Sequence, residues 1–354
     1  MQMARKIKAG CSVIGSILAN KLYGKRTPLI ATLLVTNRCN LKCNYCYARV
    51  FDRKLEDMPI QEICKIIDDL KALGTVLIVL SGGEPLLRDD LPDIIRHVKN
   101  NGLLCEVLTN GALVAEKVED LKDIDYLCIS LDGNETDHDK SRGKGSYKAA
   151  VSAIETALDM GIQTRIHATL TKNNIQSLPH LAELAKTYGV RLNCAIASRH
   201  TQDPSLLFSR EEIRDFYIRL KEYSRKKYPI VNALSTLDYL INWPLSYDYI
   251  YKEGDQPAPS GLIPCKRKDF TCYIDVDGSL YPCSTKWNAS CGNVLTDGLK
   301  TAWQKVLGLK CRSCITEVEA NLLFSGNFKS FMNVFAYTVL DLLKPAPNKK
   351  LRVK

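Results

Sequence analysis

Residues 28–46 read PLIATLLVTNRCNLKCNYC, and residues 75–85 read TVLIVLSGGEP. Each is a run of Val, Ile, Leu and Thr, apolar on both faces, that gives way to a polar or glycine-rich end. A strand buried on both sides in a parallel sheet needs such a run. Four more share its length and make-up: LLCEVLTNG (103–111), YLCISLDG (126–133), QTRIHATLT (163–171) and VRLNCAIAS (190–198). Between them lie segments with helical spacing. In MPIQEICKIIDDLKALG the apolar positions are Ile60, Ile63, Ile66, Ile67, Leu70 and Leu73, and Gly74 supplies the stop. LPDIIRHVKNNG, SYKAAVSAIETALDMG and LPHLAELAKTYG also end in Gly. Six strands alternating with helices predict a (β/α) array, and right-handed crossovers curl it. Six units are too few for a closed eight-stranded barrel. The expected fold is therefore α/β, a partial (β/α)6 TIM-like barrel open along one side, with a doubly wound sheet as the alternative.

In such barrels chemistry sits at the C-terminal strand ends. Thr36-Asn37-Arg38-Cys39 follows the first strand and Ser81-Gly82-Gly83-Glu84-Pro85 the second. Thr109-Asn110-Gly111 ends the third and Ser130-Leu131-Asp132-Gly133 the fourth. All converge on one rim, although Asp132-Gly133 taken alone reads as a turn or a helix cap.

The 354 residues are 45% hydrophobic and 25% charged, enough for one large domain and an appendage. No run reaches the roughly 18 uncharged apolar residues of a spanning helix. Residues 11–19, CSVIGSILA, follow Arg5, Lys6 and Lys8, but no small-residue cleavage site precedes Lys21–Lys25, which argues against a signal peptide. The formal charge of +10 suits nucleic acid, a membrane surface or an acidic substrate. No basic, aromatic nucleic-acid motif is present, so no nucleic acid is expected. Of fourteen cysteines, three crowd into 39–46 and six lie between 265 and 314. A disulfide scaffold would be small and loop-rich, whereas clustered thiols in a large reduced chain point to metal and a cytoplasmic location. Cys64, Cys105, Cys128 and Cys194 sit in apolar patterns and read as small core residues.

Cys39-Asn-Leu-Lys-Cys43-Asn-Tyr-Cys46 is C-x3-C-x2-C. A mononuclear zinc site wants four ligands, and no nearby His or Cys supplies the fourth. A [4Fe–4S] cluster usually takes four cysteines; with three, one iron is open to a non-protein ligand. This motif, with Tyr45 before its last cysteine and placed after a first strand, resembles the signature of the radical S-adenosylmethionine (SAM) superfamily. Gly82-Gly83-Glu84-Pro85 is similar to that family's GGEP motif, and the likeness runs to about residue 200. The resemblance implies a [4Fe–4S] cluster on Cys39, Cys43 and Cys46, with S-adenosylmethionine chelated to the open iron. It also implies reductive cleavage to a 5′-deoxyadenosyl radical and an electron donor such as ferredoxin or flavodoxin. By the same resemblance Tyr45, Gly82, Gly83, Glu84, Asn110, Ser130 and Arg142 are the expected cofactor contacts. Arg142, in KSRGKGS, reads equally as a solvated loop charge.

FTCYIDVDGSLYPC reads as a hairpin about Asp277-Gly278. Cys265 precedes it, Cys283 ends it, and Cys311-Arg-Ser-Cys314 is a C-x2-C knuckle. Cys265, twelve residues, Gly278, four residues and Cys283 resemble the SPASM/twitch extension of radical SAM enzymes. Gly292-Asn293-Val294 and Leu299 to Trp303 fit that family's linker. A full SPASM domain supplies more cysteines after the knuckle, and none follows Cys314. The resemblance therefore implies one auxiliary cluster on Cys265, Cys283, Cys311 and Cys314, with Cys272 and Cys291 as alternative ligands. A structural zinc on the same four thiols is the competing reading.

The expected organisation is a basic amphipathic segment over 1–27, the barrel over 28–228, an irregular bridge over 229–262, the auxiliary-cluster domain over 263–319 and an apolar, basic tail over 320–354. Apolar faces with basic flanks at both ends suit peripheral attachment to an anionic membrane. The N-terminal arrangement also loosely resembles the adenosyl-transferring enzyme of hopanoid lipid synthesis. The expected function is thus radical SAM chemistry on an unactivated carbon or double bond of a lipid or isoprenoid. The alternatives are a maturase of a ribosomal peptide or protein side chain, and a non-catalytic iron–sulfur or zinc protein.

Overall fold

The structure is a computed structural model. It describes residues 2–46, 53–197, 203–244, 251–252, 261–284, 290–309, 311–314 and 321–322. Ten strands and eleven α-helices follow one another in these residues. The strands are β1 (Ile30–Thr36), β2 (Leu77–Gly82), β3 (Leu104–Thr109), β4 (Tyr126–Ser130), β5 (Thr164–Leu170), β6 (Arg191–Ile196), β7 (Tyr251–Lys252), β8 (Thr271–Ile274), β9 (Leu280–Tyr281) and β10 (Cys311–Ser313). The helices are α1 (Gln2–Tyr23), α2 (Ile60–Leu73), α3 (Leu91–Asn100), α4 (Val114–Lys117), α5 (Glu135–Arg142), α6 (Ser146–Asp159), α7 (Leu178–Tyr188), α8 (Arg210–Arg225), α9 (Leu234–Ile241), α10 (Arg267–Phe270) and α11 (Leu299–Leu307).

The main sheet runs β6-β5-β4-β3-β2-β1-β8-β9. From β1 to β6 each strand lies parallel to the next in chain order. A doubly wound sheet would reverse that order at a switch point. The sequential order is that of a partial barrel, and the doubly wound alternative is excluded.

Both faces of the strands are used, as their sequence requires. Ala31, Leu33, Val35, Ile78, Leu80, Val107, Leu127, Ile129, Ile166 and Leu192 are buried in the apolar core under the helices. The alternate residues line the barrel interior and turn polar toward β5 and β6: Glu106 is paired with Arg165, and His167 is hydrogen-bonded to Asn193. Gly74 and Gly189 end α2 and α7 in the left-handed conformation, the stop that glycine supplies. Ser209 and Glu212 form a reciprocal capping box at the start of α8.

Two elements differ from the sequence expectation. The hairpin β8–β9 is part of the main sheet, with β8 parallel to β1 in the register Ile30↔Thr271 to Leu33↔Ile274. Cys272 and Ile274 are fully buried there, so the hairpin reads as apolar because it covers the edge of β1. The bridge over 229–262 is not wholly irregular: α9 buries Leu237 and Leu240, and Tyr239 packs edge-on to Trp243 at 5.7 Å. The apolar 320–343 stretch and basic tail lie outside the described residues, apart from Asn321 and Leu322.

α1 lies across the N-terminal strand ends, the floor of the barrel. Lys6 Nζ donates to Gln163 Oε1 at 2.6 Å and sits 4.7 Å from the Tyr126 ring centroid. Ile17 is buried, and Arg26 pairs with Asp269 at 3.2 Å just before β8.

Candidate active site

At the opposite end, the rim, the cysteine loop is held on three sides. On the first, Thr36 Oγ1 and the Asn37 amide donate to Asp57, both at 2.6 Å, and Arg38 Nε joins at 3.1 Å. Arg53 donates to Asn37 Oδ1 and reaches Asp275 beyond β8, tying the cysteine loop to the hairpin.

On the second side stands the glycine pair. Gly83 N donates to Thr36 O at 2.9 Å and Glu84 N to Arg38 O at 2.8 Å. A Cβ on Gly83 would lie 2.0 Å from Arg38 O, and one on Gly82, at φ +144°, would lie 2.5 Å from Thr36 O. The glycines are thus needed for the β2 end to reach the Thr36 and Arg38 carbonyls, just before Cys39. Glu84 is fully buried and accepts from Leu86 N, Thr109 Oγ1 and Asn110 N. Burial raises its carboxyl above the usual range, against the lowering effect of those hydrogen bonds. Asn110 Nδ2 donates to Asn40 Oδ1 at 2.7 Å, so β3 also grips the cysteine loop.

The third side is a buried ion pair. Asp132 is fully buried; Arg142 donates to it from Nε at 2.5 Å and from Nη2 at 3.3 Å, and Thr169 N donates at 2.9 Å. The Tyr45 hydroxyl donates to the same carboxylate, and the Arg142 guanidinium lies 5.5 Å from the Tyr45 ring centroid. Burial raises the Asp132 carboxyl, but Arg142 and its hydrogen-bond donors prevail and the net shift is downward. Asp132 N donates to His138 Nδ1 at 3.0 Å, which requires that nitrogen to be unprotonated, and burial lowers His138 to about 4. Asp132-Gly133 is therefore no mere turn or cap; Asn134 caps α5 instead. Nor is Arg142 a solvated charge, being only 9% exposed. Ser130 is half-buried at the end of β4, in register with His167.

Cys39, Cys43 and Cys46 are all half-buried. Burial is the main influence on Cys39, raised to about 11, and on Cys43, where the nearby Arg142 charge works against it. All three lie close enough for Cys39 to feel Cys43 and Cys46. Among the described residues no three Cys, His, Asp or Glu side chains already form a metal cage. The donor set nevertheless fits an iron–sulfur cluster: three thiols on one short loop, a guanidinium whose charge acts on Cys43, and a backbone approach at Gly83 too close for any Cβ.

The second group is assembled similarly. β10 pairs antiparallel with β7, and Cys265 N donates to Arg312 O at 2.5 Å, bringing Cys265 beside the knuckle. A hydrogen bond from the Cys265 thiol holds Cys311 below its ordinary value, and Cys311 also feels Cys283 and Cys314. Cys272 is fully buried and Cys291 is 7% exposed, both within the apolar core.

A partial barrel with an open-ligand cysteine loop at its rim and a second thiol group beside its first strand defines an iron–sulfur enzyme class. The radical SAM superfamily model matches residues 33–185, and an iron–sulfur cluster-binding domain, SPASM, matches residues 265–315. The chain belongs to the radical SAM superfamily and carries a SPASM-type extension; iron–sulfur clusters and S-adenosylmethionine are its cofactors.

Among curated relatives, Fe-coproporphyrin III synthase of Methanosarcina barkeri is 31% identical over 63% of this chain. Mycofactocin maturase MftC of Mycolicibacterium smegmatis is 28% identical over 79% of it. The chain spans 59% of the length of the first and 71% of the second. Of solved structures, Streptococcus suis SuiB bound to precursor peptide SuiA gives a TM-score of 0.64 at 17% identity, covering 82% of this chain and 68% of that one. anSMEcpe with bound AdoMet gives 0.63 at 15% identity, covering 89% and 98%. At these identities the structures show the shared fold.

Proposed function

We propose that this chain is a radical SAM maturase that modifies a side chain of a peptide or protein, rather than a lipid. The observation that carries this reading is the likeness to MftC, which extends over 79% of the chain. When bound, a reduced cluster and S-adenosylmethionine supply a radical able to take hydrogen from an unactivated carbon. The chain's own residues do the rest. Cys39, Cys43 and Cys46 hold the cluster. The Gly82-Gly83 backbone leaves room beside it, and Glu84, Asn110, Ser130 and Arg142 define the wall on which the cofactor rests. Asp132 fixes Arg142 and Tyr45. Cys265, Cys283, Cys311 and Cys314 hold an auxiliary cluster, while Cys272 and Cys291 serve as core.

The floor helix bears on the substrate. If α1 faces lipid, the rim lies a strand length away, about 20 Å for six or seven residues. A lipid held at that surface would not reach the rim directly, which turns the fold against the lipid reading. The test measures 5′-deoxyadenosine formation by reduced, anaerobic holoenzyme with three additions: short peptides encoded beside its gene, Fe-coproporphyrin III, or a polyprenyl lipid. Stimulation and a mass change on a peptide are expected. Turnover of only the tetrapyrrole or the lipid would overturn the proposal.

A further inference from the structure

α1 carries an apolar stripe that nothing in the rim chemistry uses. Five of the seven large apolar side chains exposed among the described residues lie on this helix: Ile7, Ile14, Leu18, Leu22 and Tyr23. Ile7, Ile14, Leu18 and Leu22, with exposed Cys11, fall within an arc of about 80° at 3.6 residues per turn. This arc is distinct from the face that packs on the barrel through Lys6, Val13 and Ile17. Exposed Lys8 borders the stripe on one side and exposed Lys21 on the other, with exposed Lys25 just beyond the helix. Residues 1–27 contain six Lys or Arg and no acid.

We infer that α1 is a docking surface for an anionic lipid bilayer, seating the barrel floor on the membrane with the rim facing water. Charge decides the occupant. A second copy of this chain would set the Lys8 and Lys21 borders against the same basic borders, whereas a bilayer with anionic headgroups matches them while its acyl boundary receives the stripe. No helix among the described residues is long and apolar enough to cross a membrane, and α1 meets the bilayer along its side. α1 is tied down at both ends: Lys6 donates to Gln163 below β5, and Lys266, before β8, donates to Asn20 Oδ1 at 3.4 Å. The stripe is thus presented on a folded support and needs no unfolding to dock.

The test is flotation of full-length holoenzyme with vesicles of phosphatidylcholine alone or with 30% phosphatidylglycerol, at low and high salt, beside sedimentation velocity without lipid. The wild type should float with the anionic vesicles and much less with neutral ones. Lys8→Gln and Lys21→Gln should each weaken anionic binding about fivefold, and about 25-fold together. Ile14→Ser/Leu18→Ser should weaken it at both salt concentrations, while circular dichroism and iron content stay unchanged. Equal flotation on both vesicle types, no flotation, or a lipid-free dimer that Ile14→Ser/Leu18→Ser dissolves would each overturn the inference.

Discussion

Asp132→Asn is the sharpest probe of how the rim is held. One carboxylate oxygen accepts from Thr169 N and Arg142 Nη2, the other from the Tyr45 hydroxyl and Arg142 Nε. The substitution keeps the shape but turns one oxygen into an NH2, which faces donors whichever way the amide is placed. It also leaves the Arg142 guanidinium buried without its counter-charge. Breaking a buried pair in this way costs about 3–5 kcal/mol. Tyr45→Phe removes one hydrogen bond to a charged acceptor and should cost about 1.5–3 kcal/mol. The double variant should lose less than the sum, because both act on one carboxylate. Urea unfolding of anaerobic, reduced apoprotein, followed by circular dichroism, measures all three. An Asp132→Asn midpoint that matches wild type, with unchanged slope, would refute the idea that this pair organises the rim. The pH dependence has a definite sign. The Asp132 carboxyl is depressed in the fold, so its contribution is present above about pH 3.9 and is lost as pH falls through the lower folded value.

Three further outcomes are expected. His138 and His167 are each lowered by burial to about 4, so below about pH 6.5 the unfolded chain takes up protons that the fold refuses; stability should fall by about 1.5 kcal/mol per histidine between pH 6.5 and 5, and a flat urea midpoint over that range would contradict this. Gly83→Ala sets a Cβ 2.0 Å from Arg38 O and should lower iron retention at the catalytic site, whereas Gly15→Ala, with nothing within 4 Å of its Cβ, should not; iron analysis after gel filtration compares them. Two clusters require about eight irons per chain, of which Cys39/Cys43/Cys46→Ala should keep about four and Cys272→Ala all; zinc without iron in the triple variant would make the second site a structural knuckle.

The six barrel strands were legible because a strand buried on both sides leaves a continuous apolar run, and the glycine stops of α2 and α7 have a local cause. Cys39, Cys43 and Cys46 were legible because their spacing is itself the signal. Asp132 was not. Its dipeptide with Gly133 is also a turn signal, and its partners Arg142, Tyr45 and Thr169 come from other parts of the chain. Asp57, Arg53 and Asp275 were missed for the same reason: each acts across a tertiary contact. The hairpin was read from its Asp277-Gly278 turn, yet its parallel pairing with β1 depends on an open sheet edge that no local pattern encodes. The basic, apolar stripe of α1 was visible as a pattern, but its position on the floor required the Lys6 and Ile17 contacts.

The most direct test of the assignment is S-adenosylmethionine cleavage by anaerobically reconstituted, dithionite-reduced protein, with Cys43→Ala measured beside it. Wild type should release 5′-deoxyadenosine. Cys43→Ala should release none while remaining folded and keeping its auxiliary iron, because Cys43 lies on a rim loop outside every strand and helix. Unchanged cleavage by Cys43→Ala would contradict the placement of the catalytic cluster on Cys39, Cys43 and Cys46.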